Sequence, residues 1–593
     1  MPEPNPEPIL ISESGPSKSL GINLLFIALG FWLLFGCLEL TGYSWQVPHK
    51  LAHQVENYLF HWSFDWLPLR QAAENHPNLL ILNLLFGWIP AGILVLYIPY
   101  FFAVYIVAKG KGNLRTILTI SILARLALIP GFPLLETDVY RYIWDGRMMV
   151  MGENPFEYPP QQILDALDAE EAVGQDPSGL QRIVDEIADD RLYCEILERV
   201  NNKEVPTLYF PTAQYCFAAA DLVILTALPD PPDPEEVNWY VRGKFAQVLW
   251  KCVLFFFEVS CLILICLLLR MVCLSPCWVV VFGWSPLVLK EYSNTGHFDP
   301  IANFLVLAAF LVLMRIPSNL AEARRSGLWR RISSGVLLGL GIGCKLYPVF
   351  LIPFIARRLR LPGLVSILVT IFLLFLPFIG IGSSLFKGFA TYSDRWEFNS
   401  SIVAGLEVTI SFIQDLFRGG DANSSSDPES PMFQLAGVSF DIDAFFLAKA
   451  ISACAFLAIW IYLIWKSARP LPPETDTSMQ SLHFSFLVLA TLLLCSPVTD
   501  PWYVCWLVPF LCFFPNRAWL FLTFAQQVYY VYFWNDWGYV RFVDVAHLPG
   551  FGWMPEYLRT STCEIARLAE YVPFYCLLVY GWWSNRQKKE RIE

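Results

Sequence analysis

The sequence predicts an all-α polytopic membrane protein, on three observations. Of 593 residues, 55% are hydrophobic and only 16% charged, whereas a soluble domain carries about a quarter charged residues. Mean hydropathy is +0.47. The missing charge coincides with many uninterrupted apolar runs long enough to cross a bilayer, for which about 20 helical residues suffice. A soluble enzyme, a fibrous protein and a disordered scaffold are thereby excluded.

The chain opens with MPEPNPEPILISESGPSKS, acidic and Pro-rich, without the basic n-region or cleavage site of a signal peptide, so residues 1–19 are expected as a cytoplasmic tail. Runs suited to membrane helices follow near 20–42, 79–107, 116–133, 245–269, 273–290, 299–314, 361–384, 442–465, 480–497, 501–514, 518–534 and 565–583, which makes about twelve. Two more, 206–228 and 332–356, are apolar enough but interrupted, the first by Pro211 and the second by Gly343, Lys345, Pro348 and Pro353. Counting both as crossings gives fourteen helices. Residues 20–583 read as a single polytopic domain, and 584–593 as a basic cytoplasmic tail.

Basic residues favour the cytoplasmic side. The rule places Lys109, Lys111 and Arg115 there, with Arg315, Arg324, Arg325, Arg330 and Arg331, then Arg357, Arg358 and Arg360, then Arg586, Lys588, Lys589 and Arg591. All four groups cannot agree if every run crosses. The Arg315 and Arg357 groups share a side only if 332–356 enters and returns, and parity back to Arg115 asks the same of 206–228. Irregular backbone at membrane depth survives only against protein or a water-filled cavity, so broken segments point towards a site.

With this orientation the stretches 43–78, 134–205, 229–244, 291–298, 385–441 and 535–564 face outward. Within 134–205, residues 163–204 hold 12 Asp or Glu against 4 Lys or Arg, which explains most of the net charge of −11. No basic face suited to nucleic acid exists. Residues 163–202 place Ile163 and Leu167, then Leu180, Ile183, Val184 and Ile187, then Leu192, Ile196 and Leu197 at helical spacing, which predicts amphipathic helices resting on the outer surface. The Gly, Ser and Asp stretch at 418–430 reads as a flexible loop. Most of the fifteen cysteines lie inside apolar runs as small hydrophobes, and Cys194 and Cys563 are the two expected in water.

The segment ETDVYRYIWDGR, Glu136 to Arg147, directly follows the span ending near Pro133 and is the most informative. As a helix it puts Asp138, Arg141 or Tyr142, and Asp145 on one face, a costly arrangement unless it meets water or substrate. Paired charges in a hydrated belt anchored by Tyr and Trp are the plain structural alternative.

This segment, continuing into GENPFEYPP with Asn154 and Tyr158, resembles the first outer loop of GT-C glycosyltransferases, specifically the bacterial polyprenyl-phosphate-mannose-dependent mannosyltransferases. Further stretches resemble that family in order: PTLYFPTAQ at 206–214, WSPLVLKE at 284–291, GHFD at 296–299, KLYP at 345–348, WEFN at 396–399 and DPWY at 500–503. The resemblance spans roughly residues 80 to 515. The acidic stretch at 163–202, an enlargement of the outer loop, and Phe210, where relatives often carry a second Pro, depart from the pattern and bear on the acceptor rather than on the Asp138 core.

The resemblance implies transfer of a hexose, mannose in this family, from a polyprenyl phosphate to an extracytoplasmic acceptor, with Asp138 as general base and inversion at the anomeric carbon. Because the phosphate already leaves well, such chemistry needs one base and cations for the phosphate, with no obligatory general acid. Arg141 is expected to orient Asp138 or bind phosphate. Lys345, a lysine inside an apolar run, is expected at the lipid phosphate, with snorkelling to an interface as its alternative. Glu291, His297 and Asp299, between two short spans, suit sugar hydroxyls, or else form a hydrated connection. Tyr142, Asp145, Asn154, Tyr158, Tyr347, Tyr392, Trp396, Asn399, Asp500, Trp502 and Tyr503 add aromatic platforms and hydrogen-bonding groups for substrate, against the alternative of an interfacial aromatic belt.

Glu258, inside the apolar run at 245–269, is expected to face protein in a structural hydrogen bond. Three motifs are set aside. Gly339, Gly341, Gly343 and Lys345 imitate a phosphate loop but lack the following Ser or Thr and the preceding strand, and read as close helix packing. His49, His53 and Glu56 lack the HExxH pattern of a zinc site, so no metal and no cofactor is expected. No Gly-x-Ser-x-Gly elbow occurs.

The expected partners are a polyprenyl-phosphate sugar, a glycan or glycolipid acceptor and the bilayer, in a bacterial inner membrane with the site on the extracytoplasmic side. Two other classes stay open: a transporter or flippase for a sugar or lipid-linked substrate, whose site belongs near the midplane, and a lipid-linked oligosaccharide polymerase or ligase, which shares the donor.

Overall fold

A computed structural model describes residues 16–45, 77–134, 136–168, 179–229, 239–316, 327–417, 433–435, 438–440, 443–469, 477–530 and 557–590. The His49, His53 and Glu56 group, the 418–430 loop and the side chain of Cys563 lie outside them. Among the described residues, the α-helices of eight or more residues are α1 (Pro16–Trp45), α2 (Pro77–Ala108), α3 (Leu114–Leu128), α4 (Asp138–Val150), α5 (Pro160–Asp168), α6 (Gly179–Ile187), α7 (Arg191–Glu198), α8 (Pro211–Ala227), α9 (Trp239–Met271), α10 (Asp299–Met314), α11 (Gly327–Ile342), α12 (Ile352–Phe375), α13 (Lys387–Arg395), α14 (Ile402–Phe417), α15 (Ala444–Ser467), α16 (Thr477–Cys495), α17 (Arg517–Ala525) and α18 (Tyr557–Glu590). The sheet among the described residues is a short hairpin pairing Phe433–Leu435 with Val438–Phe440.

Among the described residues, five helical stretches are long and apolar enough to cross a membrane: Gly21–Leu38, Val241–Met271, Tyr347–Ser393, Ala444–Ser467 and Thr477–Cys495. A sixth results if Pro286–Asn294 and Asp299–Met314, bent by 114°, count as one span. Large apolar side chains such as Phe31, Phe372, Phe412, Phe446 and Ile461 stand exposed along these and neighbouring helices, as a lipid environment requires. The polytopic class therefore holds, with five or six such spans among the described residues where the sequence led to an expectation of about twelve.

Proline accounts for much of the difference. The expected span 273–290 is cut at Pro276 and Pro286 into the short turns Pro276–Val279, Val280–Gly283 and Pro286–Val288, then a π-helical turn at Leu289–Asn294. The run 501–514 is cut into Pro501–Val504 and Val508–Leu511. Proline has no N–H to give and clashes with the preceding turn, so each helix restarts at it. In the expected outer stretch 385–441, Lys387–Arg395 and the apolar Ile402–Phe417 are helical. The basic tail expected from 584 continues α18 as far as Glu590.

The run 332–356 breaks at the residues that interrupt it. α11 ends at Ile342, Tyr347–Leu351 is a 3-10 turn, and α12 is split at Arg360, whose φ of +53° is non-helical. Added Cβ atoms on Gly335 and Gly339 would strike Ser366 and Gly363, and Thr370 and Ile367, respectively. The contacts advance together along both helices, so the second half of α12 runs parallel to α11, and the chain between them goes out and returns. Arg331 Nε donates to the Arg358 carbonyl at 3.1 Å, Arg330 reaches the Arg315 carbonyl, and Arg357 donates to the Ala468 carbonyl at 2.7 Å. The Arg315 and Arg357 groups thus share one end of the molecule.

The run 206–228 behaves otherwise. α8 is one unbroken helix of 17 residues, with Pro211 in its first turn, where a missing N–H leaves nothing unpaired. At 1.5 Å per residue it is about 26 Å long, slightly short of the hydrocarbon core.

The acidic insertion does not rest on a lipid surface by its apolar side. Ile163, Ile183, Ile187, Leu192, Ile196 and Leu197 are at most 4% exposed and join the protein core, with α7 packed on α4 and α9. Arg147 reaches Asp190 at 3.5 Å, and the Tyr193 hydroxyl bonds Asp221, fastening the insertion over α4 and α8. Deeper in the bundle, Glu258 faces protein: Arg125 Nε donates to it at 2.8 Å and Ser293 Oγ at 2.9 Å, while Arg125 also donates to the carbonyls of Ser121 and Gly283.

Candidate active site

Asp138 opens α4, one turn before Tyr142. Its Oδ2 accepts from the Tyr142 hydroxyl at 3.1 Å and the Tyr209 hydroxyl at 3.4 Å, and its Oδ1 from Asn201 Nδ2 at 2.6 Å. The side chain stays 16% exposed. Three neutral donors therefore orient a carboxylate that still reaches solvent. Of the two residues at the i+3 and i+4 positions, Tyr142 is the one on the Asp138 face.

Arg141 points elsewhere. It is 5% exposed and donates from Nη2 to the carbonyls of Val205 at 2.6 Å and Asn202 at 3.2 Å, so its bonds go to backbone and not to Asp138. It ties down the connection carrying Asn201. Asp145, 1% exposed, accepts from Thr207 Oγ1 at 2.5 Å and Gln214 Nε2 at 3.1 Å, holding the Tyr209 segment against α4. Burial pushes its carboxyl up from the usual range. Asn154 Oδ1 accepts from Phe156 N within its own turn, and Tyr158 lies beside Gly179 of α6 in the insertion.

The opposite wall comes from the π-helical turn and the start of α10. A π turn widens the helix and is frequent at functional sites. Gly296 then adopts a φ of +84°, and a Cβ there would crowd Trp250, whose Nε1 donates to the Gly296 carbonyl. His297 follows, 1% exposed and stacked on Trp502 with centroids 4.2 Å apart. Its Nδ1 lies 3.2 Å from the Glu291 carbonyl and 3.3 Å from Glu291 Oε2, and its Nε2 is 3.8 Å from Asp138 Oδ2. Glu291 is also held by Lys290 Nζ at 3.2 Å and by the Tyr530 hydroxyl.

Lys345 sits at the turning point of the re-entrant run. Its Nζ is 3.2 Å from Asp299 Oδ1, and it lies over the rings of Phe298 (4.3 Å), Tyr503 (5.2 Å), Trp506 (5.8 Å) and Tyr209 (5.9 Å). Asp299 Oδ1 also accepts from Trp506 Nε1 at 2.6 Å. Lys345 is 14% exposed and lines a cavity of about 190 Å³ with Tyr209, Tyr392, Tyr503, Trp506 and the apolar Phe210, Leu346, Phe350 and Phe389. Tyr347 also borders this cavity, but its hydroxyl donates inward to Asn303 at 2.8 Å and its ring stacks on Trp506.

The remaining residues arrive by a parallel bridge, in which Phe398 N donates to the Pro497 carbonyl and Thr499 N to the Phe398 carbonyl. Tyr503 and Tyr392 share a hydrogen bond at 2.8 Å, and Trp396 packs on Tyr392. Asn399 turns away, its Nδ2 donating to Glu570 at 2.9 Å. Asp500 accepts from the Tyr529 hydroxyl at 2.8 Å, and burial together with the Asp138 charge pushes its carboxyl up to about 8.

Sequence reasoning missed Lys290, Asn201, Tyr530 and Glu136. Lys290, a lysine ending an apolar run, carried the same signal as Lys345. Glu136 is 6% exposed, and burial and the Asp138 charge hold its carboxyl well above the usual range. Nothing local marks Asn201 or Tyr530. Searches of protein-family models, curated proteins and solved structures find no match to this chain.

Proposed function

We propose that the protein is an integral-membrane glycosyltransferase that moves a hexose, mannose by the sequence resemblance, from a polyprenyl phosphate to a glycan or glycolipid acceptor at the extracytoplasmic face of a bacterial inner membrane. The observation that carries this reading is Tyr209, whose hydroxyl meets the Asp138 carboxylate while its ring faces Lys345 across the aromatic and aliphatic cavity. Tyr209 thus links the base to a cavity that Lys345 lines and that suits an amphipathic anion. Of the three donors on the Lys345 ammonium, one is directed at Asp299, leaving capacity for phosphate.

In the transfer, the acceptor hydroxyl oxygen attacks the anomeric carbon from the side opposite the phosphate, and its proton goes to Asp138. The carbon–oxygen bond to phosphate breaks, its electron pair stays on phosphate, and Lys345 stabilises the developing charge. Inversion follows, so a β-linked donor gives an α-linked product. Apolar Phe210, Leu346, Phe350 and Phe389 at the cavity suit the first prenyl units. Arg141 is left out of phosphate binding because both of its observed bonds go to backbone carbonyls.

The test is transfer of radiolabel from synthetic polyprenyl-phosphate mannose in membranes holding wild type or Asp138→Asn at matched abundance. Wild-type transfer lost in the variant is expected. Equal transfer by both, or transfer by purified protein from a nucleotide sugar without lipid carrier, defeats the reading.

A further inference from the structure

The imidazole of His297 is sandwiched between two carboxylates. Its Nδ1 faces two acceptors, the Glu291 carbonyl at 3.2 Å and Oε2 at 3.3 Å, so Nδ1 carries the ring hydrogen in the neutral form. Nε2 then presents a lone pair. That atom is buried with no hydrogen-bond partner, 3.8 Å from Asp138 Oδ2, another acceptor. Two lone pairs facing each other at this distance lack one proton, and supplying it converts an unfavourable contact into a charge-assisted hydrogen bond.

We propose that Asp138 and His297 act as one proton-holding pair, in which the imidazole takes over the proton that Asp138 removes from the acceptor hydroxyl. The inference rests on Asp138 being the base of the transfer. The acceptor O–H bond breaks and the proton reaches Asp138. It passes to His297 Nε2, giving an imidazolium with hydrogens on both nitrogens and returning Asp138 to carboxylate. The cation is held between Asp138 and Glu291 with its ring against Trp502. After product leaves, the proton returns through Asp138, the member of the pair that reaches solvent.

Asp138 of α4 and Glu291 of the π turn are the charged groups that face the ring, with Lys290 on Glu291 and Lys345 on Asp299 beyond them, and the carboxyls of Glu136 and Asp500 are held above their usual range. The Tyr142, Tyr209 and Tyr530 hydroxyls are bound to Asp138 and Glu291 and stay neutral donors.

His297→Asn keeps an amide N–H where Nδ1 meets Glu291 and deletes the Nε2 acceptor, so a purely structural role predicts an unchanged rate. The pair predicts a kcat about a hundredfold lower, with KM for the lipid donor within about twofold. Independently of activity, the 15N signal of His297 in the full chain, identified by its loss in His297→Asn, is followed through a pH titration in wild type and Asp138→Asn. The midpoint is expected to move to lower pH in Asp138→Asn, where the facing negative charge is gone. An unmoved midpoint, or full kcat in His297→Asn, overturns the pair. Wild type that transfers from no polyprenyl-phosphate sugar defeats the glycosyltransferase reading instead, and the titration still decides the pairing.

Discussion

Arg331 donates from Nε to the carbonyl of Arg358 at 3.1 Å, so the 26 residues between them leave one end of the molecule and come back to it. The turning point carries Lys345, delivered to the end where Asp299 and Asp138 begin their helices. A lysine in an apolar stretch is thereby placed against a carboxylate and four aromatic rings instead of hydrocarbon.

Lys345→Met is expected to raise KM for the lipid donor by about 10- to 100-fold, the worth of a charged hydrogen bond at about 1.5–3 kcal/mol. Lys345→Arg retains part of the affinity. Steady-state transfer with varied donor concentration measures both, and an unchanged KM in Lys345→Met removes the residue from donor binding.

Arg141→Lys separates a structural from a substrate-binding role. The lysine ammonium, carried on a shorter side chain, does not extend as far as Nη2, the one nitrogen that donates to both the Val205 and Asn202 carbonyls. Loosening that connection frees Asn201, and kcat is expected to fall about tenfold with donor KM unchanged. A raised donor KM at normal kcat would reinstate Arg141 at the phosphate.

The Arg125–Glu258 pair has both side chains at 0% exposure. Removing one partner leaves a charge without its counterion, so Glu258→Leu or Arg125→Met alone is expected to cost about 3–5 kcal/mol. The double variant recovers most of it. Thermal unfolding in detergent for the four proteins gives the coupling, and additive losses contradict it.

Asp500 makes stability depend on pH. Its carboxyl is raised to about 8 in the folded protein from 3.8, so the folded state holds the proton more tightly and stability falls as pH rises between those values. Asp500→Asn keeps the oxygen that accepts from Tyr529 and removes the titration. Its unfolding temperature is expected to vary less than that of wild type as pH rises from 3.8 to about 8, and to exceed it most at the upper end. Parallel curves refute the assignment.

Several features were legible along the chain. Gly343, Lys345 and Pro348, together with the clash between two arginine groups, marked the run that breaks, because helix breakers and the preference of basic residues for one side are local properties. Pro211 was misread for an instructive reason: proline interrupts a helix from within but starts one comfortably, and only the position of the first turn distinguishes the two. The amphipathic faces of α5, α6 and α7 were visible, but periodicity alone does not say whether lipid or protein covers them.

The amino-acid sequence by itself determined the solvent the protein lives in, the helical class, the broken run and the carboxylate that begins α4, since apolar content, helix breakers and helix starts are written in neighbouring residues. Tertiary structure alone decided which partners those residues meet. Asp138 is held by Asn201, 63 positions away, Glu291 by Tyr530, 239 positions away, and Arg141 is drawn off to carbonyls. Such choices follow from how packed helices bring distant polar groups into one buried space, where each must find a partner, and no local pattern encodes that pairing.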